Sequence, residues 1–472
     1  MTQDSTERIR EKLQELVNGS HPGTKLPSNR ALVKQYGASP VTVQKAMSLL
    51  AAQGIVESRP GVGTFVLSSR SHRGAPANDY RWQTGALSFS QSRLPSFSTA
   101  LKAPGNDVIS LHSGYPAPEL LPTQLVRTAF SRAGRSETST TRSPSAGLPE
   151  LQAWFANELA EHVPTDGVPP TASNVIIVPG SQSGLSMIFR ALVGPERPLL
   201  TESPTYWGAI LAAAHTNTSL IPLPSDAHGP DPDELDAAFE QTGARAFYAQ
   251  PNYANPTGAQ WSLTRTHSIM EVIRRHGAFL IEDDWAHDFG ITTQPTPAAA
   301  FDRDGHVVYV RSLTKSVSPS VRVAAVIVRG PARDRMLRVS QAESMYVSAS
   351  LQSIALDVVS QPTWRTHLRG LRTQLCDRRD LLASSLHEHL PEANIDAIPT
   401  GGLNLWVRLP DLEDLEEFVR RCEIHGVIVA PGDEWFPAEP PGSYLRLNYS
   451  GPRPGEFPEA ARLIAEALSD CI

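Results

Sequence analysis

Cysteine is scarce in this chain: Cys376, Cys422 and Cys471 are the three among 472 residues. They form neither a CxxC pair nor an even framework, which argues against structural zinc and paired disulfides. Free thiols in a reducing compartment are expected, and no metal site. Long apolar stretches are missing too. Nothing approaches the roughly eighteen uninterrupted apolar residues of a membrane helix, so no membrane partner is expected. The first residues, Met1-Thr2-Gln3-Asp4-Ser5-Thr6-Glu7-Arg8, show no basic flank followed by an apolar run. No signal peptide is read, and the cytoplasm is the expected compartment. Internal repeats are also lacking.

What is present is a globular composition, 40% apolar and 19% charged, over a length that suits roughly three domains. The net charge of −7 hides an asymmetry. Residues 1–70 carry nine Lys/Arg against five Asp/Glu, a net of +4, whereas the remainder is at −11. The first segment alone has the sign that suits polyphosphate.

Between Thr6 and Val17, Ile9, Leu13, Leu16 and Val17 follow i, i+4, i+7, i+8, and Asn18-Gly19 supplies a C-cap, which predicts an amphipathic helix. Ser28 caps a second helix to Tyr36, ended by Gly37. Ser39 caps a third, with Pro40 at its first position and Val43, Met47 and Leu50 as its inward stripe. "IVESRPGVGTFV" then reads as a hairpin wing around a Pro-Gly turn. Residues 71–108, rich in Ser, Arg, Pro, Gly and Asn, read as a linker. Beyond it, strand-like runs (175–178, 246–249, 279–281, 307–310, 323–328) alternate with helical windows (148–159, 185–192, 262–276). That alternation favours a mainly parallel sheet covered by helices. The tail, 335–472, carries two long helical windows and short strands near 403–409, 427–430 and 444–448, as in a smaller α+β part.

"LPSNRALVKQYGASPVTVQKAMSLLAAQGIVESRPGVGTFV" resembles the winged helix-turn-helix of GntR-family transcriptional regulators over nearly its whole length. The resemblance implies a partner, double-stranded DNA, with the third helix offered to the major groove. Candidate contacts are Arg30, Ser39, Thr42, Gln44, Lys45, Arg59, Gly61 and Gly63. Pro40 stands where many relatives have arginine, so fewer guanine contacts are expected.

Four segments of the body agree in order and spacing. "PGSQSGLSMI" places Gly180, Ser181 and Gln182 at a helix N-terminus, where unpaired amides favour an anion. "PNYANPTG" contains Asn255, and "LIEDDWAHDF" ends a strand in Glu282-Asp283-Asp284. "VRSLTKSVSPSVRVA" gathers Ser312, Thr314, Lys315 and Arg322. Together they resemble the fold-type I pyridoxal 5'-phosphate enzymes of the aminotransferase family, over about residues 110–455. The fold class expected is therefore α/β: a winged helix-turn-helix (1–70) ahead of a fold-type I aminotransferase-like body (109–472). The large part of that body, with a mainly parallel sheet, is expected at about 120–330, and the α+β small part at about 335–472.

The resemblance implies that Lys315 forms the aldimine with pyridoxal 5'-phosphate, that Asp283 faces the pyridine nitrogen, and that Asn255 donates to the phenolic oxygen. Tyr206 of "ESPTYWG" stacks on the ring. Ser181, Gln182, Ser312, Thr314 and Arg322 hold the phosphate, and Arg446 of "YLRLNYS" pairs with a substrate carboxylate. Two positions depart from the family. Trp285 replaces a tyrosine two residues after the aspartate, and an indole donates one hydrogen bond but accepts none. Arg142 of "TRSPSAGLPEL" replaces a tyrosine that reaches the neighbouring subunit's phosphate, so Arg142 is expected to bind it there as a full cation.

A GntR-type head on such a body, in this order, resembles the MocR-type subfamily of bacterial regulators. It implies a homodimer that binds an operator with repeated half-sites and senses an amino compound, or pyridoxal phosphate itself, through the aldimine at Lys315. The alternative is an active aminotransferase that carries a DNA-binding domain. A third reading is a DNA-binding protein with a cofactor-free body.

Overall fold

The computed structural model describes residues 5–67, 83, 98–103, 105 and 107–471. Most of the linker expected at 71–108 lies outside the described residues. The chain separates into two compact units, 1–91 and 92–472.

In the first unit, helix α1 (Ser5–Asn18) precedes α2 (Asn29–Tyr36) and α3 (Pro40–Ala52), and strands β1 (Val56–Arg59) and β2 (Gly63–Val66) close it as an antiparallel hairpin. The caps explain the breaks. Ser28 Oγ accepts from the Ala31 amide, Gly37 takes the left-handed conformation at φ 60°, and Ser39 Oγ accepts from the Thr42 amide one residue before Pro40. Ile9, Leu13 and Val17 of α1 pack with Leu32 and with Val43, Ala46, Met47 and Leu50 of α3. Each such side chain contributes about 1.5–3 kcal/mol on burial. Leu13→Ala, at a position with no exposure, therefore costs about 2–5 kcal/mol.

The second unit is built on a sheet. Its strands in chain order, after β3 (Ile109–Ser110), are β4 (Val175–Val178), β5 (Pro198–Ser203), β6 (Ser219–Asp226), β7 (Gly229–Pro230), β8 (Ala246–Ala249), β9 (Phe279–Asp284), β10 (Val307–Ser312) and β11 (Ala324–Ile327). Among the described residues the spatial order is β4-β11-β10-β9-β8-β5-β6-β7, with parallel pairing from β10 through to β6. Strand β11 runs antiparallel between β10 and β4. Strands β4, β8 and β11 are buried at every position, as a sheet covered on both faces requires.

Successive side chains divide between the two faces. Phe247, Leu280 and Tyr309 join one core with Leu151, Phe155 and Ile269; Tyr248, Ile281, Val308 and Val310 join another with Leu185 and Ala209. The same alternation sends Asp283 to the face of Ile281 and sends Glu282 and Asp284 to the other.

In the smaller part, β12 (Asn404–Arg408), β15 (Tyr444–Asn448) and β14 (Ala430–Pro431) form an antiparallel sheet, and β13 (Val427–Ile428) pairs in parallel with β3. Residues 109–110, which open the expected body, pair with β13 of the smaller part in a two-stranded sheet of their own. The hydrophobic core also divides later than residue 335: Val347, Ile354, Val358 and Trp364 pack with the large part, and Leu371, Leu375 and Leu382 with the small one. A single helix, Pro362–His389, spans that division. Among the described residues no helix is long and apolar enough to cross a membrane.

Candidate functional sites

The carboxyl ends of β4, β8, β9 and β10 converge on a cavity of about 180 Å³, the position at which open α/β sheets receive ligands. Its wall brings together Ser181, Gln182, Tyr206, Asn255, Asp283, Trp285, Ser312, Thr314, Lys315 and Arg322, all singled out in the sequence. Gly180 stands beside them with φ +90°, and a Cβ there would meet Arg322 Nη2 at 2.8 Å. Glycine is therefore needed twice over, for its backbone and for the approach of the guanidinium.

Asp283 is 1% exposed and held on one side. Tyr248 Oη and Gln250 Nε2 each donate to its Oδ2 at 2.9 Å, while Oδ1 has no partner among the described residues. Burial raises its pKa to about 6, against the lowering effect of those two hydrogen bonds. Lys315 moves the other way: burial, with the Arg446 charge adding to it, lowers the amine's pKa to about 7, opposed by Asp283. Burial thus brings the two groups towards each other in pKa from opposite sides.

Trp285 lies under the amine. Its ring centroid is 4.1 Å from Lys315 Nζ, and its Nε1–H donates to the Tyr253 carbonyl at 3.1 Å. The indole presents a face, not a donor. Tyr206 Oη donates to Gln182 Oε1 at 3.4 Å, and burial drives its phenol well above the ordinary range. On the opposite face of β9, Glu282 accepts from the Ala298 and Ala299 amides and Asp284 from Tyr309, so two of the three carboxylates in "EDD" are structural.

Two expected residues lie outside the cavity wall. Arg446 is 1% exposed; its Nη2 donates to the His112 and Ser113 carbonyls at 2.5 and 3.3 Å, and its guanidinium lies 4.6 Å from the Trp435 centroid. Its Nε has no partner among the described residues. Arg142 is exposed. Conversely, Leu101, Tyr115, Trp207 and Gln250 line the cavity although the sequence reading passed over them. Gln250 alone had a usable signal, because it follows the last residue of β8 at the sheet's carboxyl edge.

On the first unit, Arg30, Gln44 and Lys45 are exposed, Gly61 and Gly63 turn the wing at φ +75° and +137°, and Arg59 pairs with Glu57 at 2.8 Å over the Phe65 ring. Ser39 Oγ and Thr42 Oγ1 are hydrogen-bonded at 2.8 Å, so these two hydroxyls are occupied with the helix cap.

Residues 106–464 match the family model of aminotransferase class I and II, and residues 5–66 that of the bacterial regulatory proteins of the gntR family. The chain is 27% identical over 450 residues to the HTH-type transcriptional regulator YdfD of Bacillus subtilis, covering 94% of this chain and 91% of that one. It is 26% identical over 466 residues to the probable rhizopine catabolism regulatory protein MocR of Rhizobium meliloti, covering 98% and 93%. Among solved structures, the α-aminoadipate aminotransferase LysN of Thermus thermophilus, complexed with N-(5'-phosphopyridoxyl)-L-leucine, shares the fold. The TM-score is 0.72 and the identity 24%, over 78% of this chain and 93% of that one. The chain belongs to the aminotransferase class I and II family, whose members use pyridoxal phosphate, and carries ahead of that body the DNA-binding domain of a GntR-type, MocR-like regulator.

Proposed function

We propose that this regulator uses its body as a receptor: pyridoxal 5'-phosphate sits in the cavity, and an amino compound, or the cofactor itself, is registered at Lys315. The observation that carries this reading is the facing pair of Lys315, an amine with a pKa of about 7, and Asp283, a buried carboxyl with one oxygen free. The donor set fits the group. Asp283 Oδ1, Asn255 Oδ1 and Thr314 Oγ1 are buried without partners among the described residues, and Gly180 leaves room for Arg322 at a helix N-terminus.

When bound, pyridoxal phosphate supplies an aldehyde that condenses reversibly with amines and a ring that withdraws electrons from them. The chain's residues would do the rest. Asp283, oriented by Tyr248 and Gln250, would hold a proton on the ring nitrogen by a charge-assisted bond. Ser181, Gln182, Ser312, Thr314 and Arg322 would hold the phosphate, Asn255 the phenolic oxygen, and Tyr206 a ring face. Arg142 would reach the same phosphate in a second copy, which makes the working unit a homodimer with two heads and favours DNA with repeated half-sites. An amino compound bearing a carboxylate would pair with Arg446. Occupancy alters DNA binding only insofar as affinity differs between two arrangements of the dimer.

The second reading, a working aminotransferase with a DNA-binding head, is favoured by the presence of Lys315, Asp283 and Arg446 together. Trp285 weighs against it, since its one donor is given to Tyr253 and it accepts no proton. The test is to titrate full-length protein with amino compounds while following cofactor absorbance, binding to the DNA beside its own gene, and product formed with a 2-oxo acid. A spectral change that alters DNA affinity supports the receptor. Sustained turnover without DNA binding replaces it with the enzyme.

A further inference from the structure

The outer face of α3 carries an apolar residue where a DNA-reading helix usually has polar ones. Val41, in the first turn, is 62% exposed, while Val43, Ala46, Met47 and Leu50 take the inward positions and are buried. A single exposed valine on a protein surface is ordinary and needs no explanation. This one is placed beside Gln44 and Lys45, its i+3 and i+4 neighbours on the same helical face, and both are exposed. The other polar first-turn side chain, Thr42, is half-buried and its hydroxyl is bonded to Ser39. At position 40 proline offers neither an amide hydrogen nor a polar side chain.

Resting on the reading of the first unit as DNA-binding, we infer that Val41 and Gln44 read two neighbouring A·T pairs, Val41 against the C5-methyl of a thymine and Gln44 against the N6 and N7 edge of an adenine. The chemistry follows from the major-groove pattern. Thymine alone presents a methyl group there, and a carboxamide with one donor and one acceptor matches adenine in bidentate fashion. The spacing suits it as well. Three residues advance a helix by about 4.5 Å, close to the roughly 3.4 Å between stacked bases. Lys45 beside them supplies charge for a phosphate or a guanine edge, and no arginine stands on this face of α3.

The test uses the full-length protein and double-stranded DNA selected from a random pool, with affinities measured at one fixed salt concentration. Each thymine of the selected half-site is replaced in turn by uracil, which removes the methyl group and nothing else. One thymine per half-site is expected to show roughly fourfold weaker binding on replacement, the value of one buried methyl-sized group. Val41→Ala should bind uracil and thymine at that position equally. Gln44→Ala should relax selection for adenine next to it by about tenfold. Val41 is exposed, so neither variant endangers the fold, and circular dichroism checks this. The proposal is overturned if every thymine tolerates uracil, if Val41→Ala keeps the sensitivity, or if Val41→Ala instead changes the oligomeric state without changing base preference. Recovery of no DNA at all refutes the DNA-binding reading itself, a different outcome from recovery of DNA indifferent to thymine methyl groups.

Discussion

Lys315 Nζ and the Trp285 ring stand 4.1 Å apart, with the indole N–H turned away to the Tyr253 carbonyl. The amine therefore rests on a π-face that attracts a cation but takes no proton from it. Trp285→Tyr restores an O–H to this position. Single-turnover conversion of an amino acid by the full-length protein with bound cofactor is expected to rise on the order of a hundredfold, the low end of what a positioned acid or base contributes. An unchanged rate would show that the indole is not what limits chemistry here.

Lys315 also has a pH signature. Its folded pKa is lowered to about 7, so the neutral, nucleophilic amine grows about tenfold from pH 6 to pH 8 and then levels off. Reductive methylation of cofactor-free protein by formaldehyde, with Lys315 followed by peptide mass, measures this directly. Continued increase towards pH 10 would mean an ordinary lysine. The stability sign is fixed by the same shift. Between about pH 7 and its ordinary value the unfolded chain binds the extra proton, so the cost of burying this amine fades as pH rises.

How much of this was legible beforehand differs by residue. The runs predicted at 175–178 and 246–249 coincide with β4 and β8, because fully buried strands leave an unbroken apolar run, while 444–448 coincides with β15 although Arg446 and Asn448 interrupt its apolar residues. Strand β6 was missed: "SLIPLPSD" holds two prolines and is mostly half-exposed, which its place next to the edge strand tolerates. The ten cavity residues were found through motifs, each a short local pattern. Tyr248 is not legible in this way, because its value lies in aiming Asp283 from the neighbouring strand, and no spacing along one chain encodes a neighbour's register. The sharing of the body between two cores is hidden along the chain for a similar reason. Helix Pro362–His389 has one continuous period, yet its two ends enter different cores.

Arg446, expected to pair with a substrate carboxylate, is engaged with two backbone carbonyls and an indole. Arg446→Ala should therefore do two things at once. It should abolish the preference for amines bearing a carboxylate, and it should destabilise the protein by about 1–3 kcal/mol, the cost of stranding buried acceptors. Arg446→Lys retains a charge without the planar fork, and should lose at least tenfold in carboxylate preference with a smaller fall in Tm. Thermal denaturation beside spectral titration separates the two effects.

Arg142 makes the opposite prediction, because it is exposed within its own chain. Arg142→Ala should leave the Tm of cofactor-free protein unchanged and weaken pyridoxal phosphate binding about tenfold or more, as expected for loss of a charge-assisted hydrogen bond. Equal affinity for wild type and variant would remove Arg142 from the site.

The pairing of β3 with β13 fixes the start of the body to its smaller part. Ile109 and Ser110 lie in register with Val427 and Ile428, and upstream of them Thr99 donates to Glu434 and Lys102 pairs with Glu423. All of these partners belong to the smaller part, the one that carries Arg446. The described residues of 98–110 are held by a two-residue ladder and two carboxylates. Within the body, the segment that leads into the large part is thus strapped first to the smaller part, so the two parts are tied together at the start of the fold as well as through the helix Pro362–His389.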